Sequence, residues 1–232
     1  MANASKTILV VTPHPDDAEG AAGGTIAKWA DEGYSIIYAI CTSGDKGSSD
    51  LQMTPEKLLQ IREQEQREAA KILGVKELFF LRHPDGFLED TPAFREQLTR
   101  LIRKYRPEKV MTCDPHRRYI LHRDHRVTGM AVLDAVFPSA RDHLYFPQHL
   151  AEGLSPHKVQ QVYLWGTTEP NTFIDISANF ERKVAALRCH KSQLGHLLDN
   201  YLRQRYQERA ATLGAPHNIP LAEGFHLVEI GF

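Results

Sequence analysis

Short apolar runs alternate with amphipathic stretches along most of the chain. Residues 7–11 (Thr-Ile-Leu-Val-Val) read as a strand buried on both faces, because no polar residue alternates with the apolar ones. Residues 35–41, 77–81 and 109–113 read as three further strands, and 160–165 and 172–176 as two more. Between them lie segments of helical period. Residues 17–32 form a helix stopped by Gly33, with Asp16 or Asp17 as N-cap type and Gly23-Gly24 permitting close approach to a neighbour. Residues 55–73 carry Pro at the first helical position and Gly74 at the end. Further helices are expected from Thr91-Pro92 to about residue 105, over 126–137, and over most of 180–213. Residues 42–54 form a polar loop, and 138–157 a long excursion that suits a lid or a subunit contact.

Strands alternating with helices predict an α/β fold with a mostly parallel sheet. Right-handed crossovers give the strand order 3-2-1-4, which makes strands 1 and 4 neighbours at a point where the chain reverses direction. Ligands of open α/β sheets bind at such a point, outside the carboxyl ends of the strands. The whole chain is read as a single domain, 1–232, with a core over about 7–137 and a C-terminal elaboration over about 138–232.

Charge narrows the function. Lys plus Arg number 28 against 29 Asp plus Glu, so no basic surplus points to nucleic acid or an anionic membrane. Cys41, Cys113 and Cys189 form no CxxC pair and no disulfide framework, which fits a reducing compartment. No stretch approaches the ~20 apolar residues of a membrane span, and no signal peptide is evident. The expectation is a soluble cytoplasmic protein without nucleic-acid or membrane partners.

Two motifs carry the chemistry. His14-Pro15-Asp16-Asp17 follows strand 1, and His122-Arg123-Asp124-His125 lies in the loop after strand 4. Each alone reads equally well as a turn or a cap. Placed on the two arms of one switch point, they supply a metal site. His14, Asp17 and His125 are the expected ligands, since two imidazoles and one carboxylate leave open positions and suit catalytic zinc. Asp16 is then free beside the metal as a general base. His122 lies across the site, with Asp124 placed to hydrogen-bond its ring and favour an imidazolium that stabilises an oxyanion or protonates a leaving amine. The set amounts to metal-assisted amide hydrolysis. Two carboxylates in the first turn, without a GxGxxG pattern, argue against a nucleotide cofactor. Arg62 and Glu65, three apart on one helix, read by spacing alone as a solvated ion pair. Asp85-Gly86 reads as a tight turn on the carboxyl edge. His116-Arg117-Arg118 read either as contacts for an anionic substituent or as a solvated loop.

Thr12 to Glu19, Gly23-Gly24-Thr25, Arg62-x-x-Glu65 with Ala69-Ala70 and Leu73-Gly74, Pro84-Asp85-Gly86, and His122-x-Asp124-His125 together resemble the PIG-L/LmbE-like N-deacetylases. The resemblance runs in order over about 7–137, and His190-Lys-Ser-Gln193 is similar to a later helix of that family. It implies a Rossmann-like fold and a zinc-dependent hydrolase, with iron(II) the alternative occupant in the cell, that removes an acetyl or other acyl group from an amino sugar or its conjugate. It implies His14, Asp17 and His125 as metal ligands, Asp16 as base, His122 with Asp124 at the intermediate, and Arg62 and His190 as substrate contacts. It also implies homo-oligomers, for which the apolar residues over 137–146 are the candidate contact. Two positions depart from the family pattern: Ala18 rather than Glu follows the paired aspartates, and Ile120, with Tyr119 adjacent, stands where some members have tyrosine. Two competing functions share these residues. A 2-His-1-carboxylate site also serves iron(II) oxygenases, but Asp16 and the His122–Asp124 pair have no task in oxygen activation. A catalytically silent carbohydrate-binding relative would be expected to lack Asp16, which is present.

Overall fold

The computed structural model describes residues 6–197 and 199–231. A single seven-stranded sheet has the order β3-β2-β1-β4-β5-β7-β6. Its strands are β1 (Thr7–Thr12), β2 (Ser35–Thr42), β3 (Glu77–His83), β4 (Lys109–Cys113), β5 (Gln161–Trp165), β6 (Thr172–Asp175) and β7 (Ala222–Glu229). The first five are parallel, and β7 runs antiparallel between β5 and β6. The expected order 3-2-1-4 holds, and β1 pairs with β4 from Ile8↔Lys109 to Val10↔Met111. β1 is buried at all six positions, as its unbroken apolar run requires.

Helices cover both faces. Ala18, Ala22 and Ile26 of α1 (Asp17–Asp31) and Ala69 and Leu73 of α2 (Pro55–Leu73) pack on Ile8, Val10, Ile36 and Tyr38. Phe94, Leu98 and Ile102 of α3 (Pro92–Tyr105) and Ala131 and Val132 of α4 (Arg123–Asp134) pack on Leu9, Val11, Ile37 and Val110. α2 starts and stops where its caps predict: the Thr54 hydroxyl accepts from Lys57 N, Pro55 opens the helix, and Gly74 closes it at φ 81°. Gly24 allows α1 to meet the segment after β6, since a Cβ there would lie 2.7 Å from Ile176.

The chain ends differently from the expectation. α4 begins at Arg123, three residues early, with His122 as its N-cap and a π turn over Ala135–Ser139 at its far end. Asp124 and His125 therefore sit in the first helical turn rather than in a loop. The expected helix over 180–213 is three pieces: α6 (Phe180–Leu187), α7 (Lys191–Leu194) and α8 (Asp199–Gly214). β7 is an addition to the sequence reading. The excursion over 138–157 contains a short helix, α5 (Gln148–Ala151), and is tied to α3 by the buried Arg103, whose guanidinium donates to the carbonyls of Ser139, Ala140, Asp142, Tyr145 and Phe146. Among the described residues no helix is long and apolar enough to cross a membrane.

Candidate metal centre and active site

The two motifs meet at the carboxyl ends of β1 and β4. Asp17 Oδ2 lies 3.1 Å from His14 Nδ1 and 3.2 Å from His125 Nε2. Tetrahedral donors at about 2.0–2.1 Å from a metal stand about 3.3 Å from one another. The two separations from the Asp17 oxygen are close to that value, as for a carboxylate sharing one divalent ion with two imidazole nitrogens. His122 is close by, its ring 4.5 Å from that of His14 and 5.2 Å from that of His125. His14, His122 and His125 form one potential ligand cluster, and His14, Asp85, His122 and Asp124 a second, overlapping one.

The far nitrogen of His14 separates the two clusters. Its Nε2 lies 3.0 Å from Asp124 Oδ2 and 3.1 Å from Asp85 Oδ1. A carboxylate behind a histidine fixes the ring and leaves the other nitrogen to a metal. Asp124 is fully buried and also accepts from Gly86 N at 2.7 Å and Leu88 N at 3.2 Å. Asp85 accepts from Lys46 N at 3.0 Å. The tight turn after β3 therefore supplies a carboxylate to the site, a role the sequence reading left open.

Charge follows from these contacts. Burial opposes protonation of His14, but hydrogen bonds to Asp124, Asp17 and Asp85 outweigh it and raise the ring to about 11. For Asp17, burial is likewise outweighed, by the imidazoles of His125 and His14, and the carboxyl is held far below its usual range. Asp85 and Asp124 are also held low, each against burial, by hydrogen bonds to His14 and to backbone amides.

Asp124 thus serves His14 and not His122, which corrects the expected pairing. The His122 ring accepts the Asp124 amide N–H at Nδ1, 3.3 Å away, as the N-cap of α4. Its neutral form then carries the proton on Nε2, where it can be donated. Burial and the charges of His14 and His125 push its pKa below the ordinary value, so the expected imidazolium is disfavoured.

Asp16 occupies the N-cap position of α1 but does not cap it. Its φ is 84°, a left-handed conformation that costs a non-glycine residue about 1–3 kcal/mol. Three contacts hold it there. Gln66 Oε1 accepts from Asp16 N at 3.2 Å, and Arg62 Nη2 donates to Pro15 O at 2.7 Å and to Asp16 Oδ2 at 3.1 Å. Gln66 is fixed in turn, donating to the buried Glu19 at 2.7 Å. Burial, then the charge of Asp17, raise Asp16 to about 7 against the opposing charge of Arg62. Gln66, like Asp85, was not among the expected site residues. It lies next to Glu65 in the sequence, and nothing but the fold aims it at Asp16.

Arg62 is buried, its terminal nitrogens spent on Gly44 O, Pro15 O and Asp16. Gly44 makes room for it: at φ 62°, a Cβ there would lie 2.1 Å from Arg62 Nη1. The reading of Arg62 and Glu65 as a solvated pair is overturned, since Glu65 is also buried and accepts from Ser192 N and Oγ. His190 is fully buried 3.7 Å from Glu19, and burial followed by the charge of Arg62 pushes it down to about 3. Neither Arg62 nor His190 lines the open cavity.

That cavity, of about 210 Å³, is lined by Asp16, Asp17 and His125, and also by Ile120, Arg117 and Tyr206. Tyr119 is not among the lining residues and is 85% exposed. No residue of the excursion over 138–157 lines it.

Comparison with known proteins identifies the family. A diacetylchitobiose deacetylase of Thermococcus kodakarensis is 37% identical over 205 residues, covering 87% of this chain and 76% of the relative. The structure of N,N'-diacetylchitobiose deacetylase from Pyrococcus horikoshii superposes with a TM-score of 0.89 at 32% identity, covering 97% of this chain and 84% of that one. A 4-oxalmesaconate hydratase of Pseudomonas putida is 31% identical over 244 residues, covering 96% of this chain and 89% of the relative. The family model described as PIG-L, GlcNAc-PI de-N-acetylase, matches residues 9–136, more than half of the chain, and the chain belongs to that family.

Proposed function

We propose that the protein is a zinc-dependent hydrolase that removes an N-acetyl or other N-acyl group from an amino sugar or its conjugate. The observation that carries this reading is the placement of Asp16 next to Asp17, whose oxygen stands at metal-ligand spacing from His14 Nδ1 and His125 Nε2. His14 Nδ1, Asp17 and His125 Nε2 would hold the ion, with iron(II) as the alternative occupant. The chemistry supplied by a divalent ion held there would be polarisation of an acyl carbonyl and a lowered pKa for water. Asp16, held by Arg62 and Gln66, takes a proton from the attacking water. Burial disfavours its charged form, which makes this carboxylate a stronger proton acceptor than an exposed one. His122 donates its Nε2 proton toward the oxyanion that develops on the carbonyl. The amine departs with the proton that Asp16 acquired, and the acid product leaves as a carboxylate. Asp85 and Asp124 keep the His14 ring oriented throughout.

The relatives from Thermococcus kodakarensis and Pyrococcus horikoshii support the amino-sugar class by their names. The Pseudomonas putida relative supports a second reading, hydration of an unsaturated carboxylate, because its similarity spans nearly the whole chain. The test is incubation of zinc-loaded protein with N-acetylglucosamine glycosides and, separately, with an unsaturated polycarboxylate. Primary amine release is expected. Loss of the alkene absorbance without amine release would replace the hydrolase with a hydratase.

A further inference from the structure

The cavity holds more charge than amide hydrolysis uses. Beside the catalytic carboxylates it is lined by Arg117, from the loop after β4, and by Arg209, from α8. Both reach the same place. Arg117 Nη1 lies 3.9 Å from where a Cβ on Gly166 would be, and Arg209 and Gly166 together line this cavity and an adjoining one of about 260 Å³. Together the two spaces reach the range of about 300–1,000 Å³ usual for ligand sites. Tyr206 of α8 lies over Gly20, where a Cβ would meet its hydroxyl at 3.1 Å.

Among the described residues, Arg117, Arg118, Arg205 and Arg209 are the only arginines without a hydrogen bond or ion pair to the protein. Two of these four line the one cavity. The chain as a whole is not basic, its net charge being −1. They are not placed to tune the base either, because the charges that dominate at Asp16 are those of Asp17, Arg62, Glu19 and His14. Two guanidiniums from segments far apart in sequence, with no protein acceptor, present planar forks of donors to one space. That donor geometry matches a phosphate or a carboxylate.

The geometry points to a substrate that bears an anionic group, a phosphate ester or a carboxylate, at a distance from its N-acyl group, gripped by Arg117 and Arg209 beside Gly166. This assignment rests on the deacetylase reading and narrows it: the substrate is an anionic conjugate of an N-acyl amino sugar. The Tyr206 hydroxyl adds a neutral donor near the catalytic end of the same cavity.

The experiment uses zinc-loaded full-length protein and three probes: the methyl glycoside of N-acetylglucosamine, N-acetylglucosamine 1-phosphate, and a glycoside of the same sugar bearing a carboxymethyl group. Binding is read by calorimetry and turnover by amine release, for wild type, Arg117→Ala, Arg209→Ala and the double variant. Both arginines are exposed and without protein partners, so the variants should fold. One or both anionic probes should bind and turn over better than the neutral glycoside, and the tighter identifies the group. Each single variant should weaken that probe about tenfold, the loss expected of one charge-assisted contact, and leave the neutral glycoside within about twofold. Amine release from the neutral glycoside with no anionic preference, or equal losses on all three probes, would overturn the inference and leave the deacetylase reading standing. Arginine-dependent binding of the anionic probes without amine release would uphold the anion site and overturn the deacetylase reading.

Discussion

Asp124→Asn separates the role the structure gives this residue from the one its place beside His122 implies. The carboxylate is fully buried and accepts three donors: His14 Nε2 at 3.0 Å, Gly86 N at 2.7 Å and Leu88 N at 3.2 Å. Asparagine keeps the shape but offers one accepting oxygen. With that oxygen turned to His14 and Gly86, its amide nitrogen faces the Leu88 N–H, donor against donor. Unmet buried donors cost about 1–3 kcal/mol each, so the metal-free variant should lose about 2–4 kcal/mol in urea denaturation. The His14 ring also loses one of its two charged anchors, with Asp85 remaining. Removing such an outer partner typically costs about 10–100-fold in metal affinity, or about 1.4–2.7 kcal/mol. Zinc affinity is measured by competition with a chromophoric chelator. Lower stability with unchanged zinc affinity and reduced turnover would show that Asp124 serves His122, and the account of His14 would fail.

Asp16→Ala should retain zinc at the wild-type ratio while turnover falls at least ~100-fold, as for a lost general base; turnover near wild type would remove Asp16 from the mechanism. Arg62→Ala should lower kcat and leave KM nearly unchanged, because its donors hold Asp16 and two backbone carbonyls rather than the cavity; a change confined to KM would restore Arg62 as a substrate contact. His14 in the metal-free protein is raised from 6.5 to about 11, so its contribution to stability is complete below the unfolded value and is lost as pH rises toward the folded one. Urea midpoints of the metal-free protein should therefore decline from about pH 7 to about pH 10, more steeply than in His14→Ala; parallel profiles would contradict the raised value.

The sheet was legible because its parallel strands are buried on both faces and read as unbroken apolar runs, with helices capped by Thr54, Pro55 and Gly74 between them. Strand order followed from crossover handedness, and it brought His14 and His125 to one edge. β7 was less legible, since Ala222–Glu229 mixes apolar, glycine and charged residues and pairs antiparallel between β5 and β6. The start of α4 was misplaced because His122, Arg123 and Asp124 carry no apolar periodicity, although a cap and a polar first turn look like that. Within the site, residues fixed by position after a strand were readable. Those fixed by a contact across elements were not: Asp85 on His14, Gln66 on Asp16, and the turn of Asp124 away from His122 all depend on which way a side chain points. Arg62 was readable as part of the site, but its burial beneath Asp16 was not.

In the proposed site, His14, Asp17 and His125 hold one metal ion beside Asp16. The decisive measurement is the metal content of anaerobically purified protein, compared with that of His125→Ala. About one zinc or iron per chain is expected, lost in the variant while the fold is retained. No bound metal in the wild type after reconstitution, or full occupancy in His125→Ala, would contradict it.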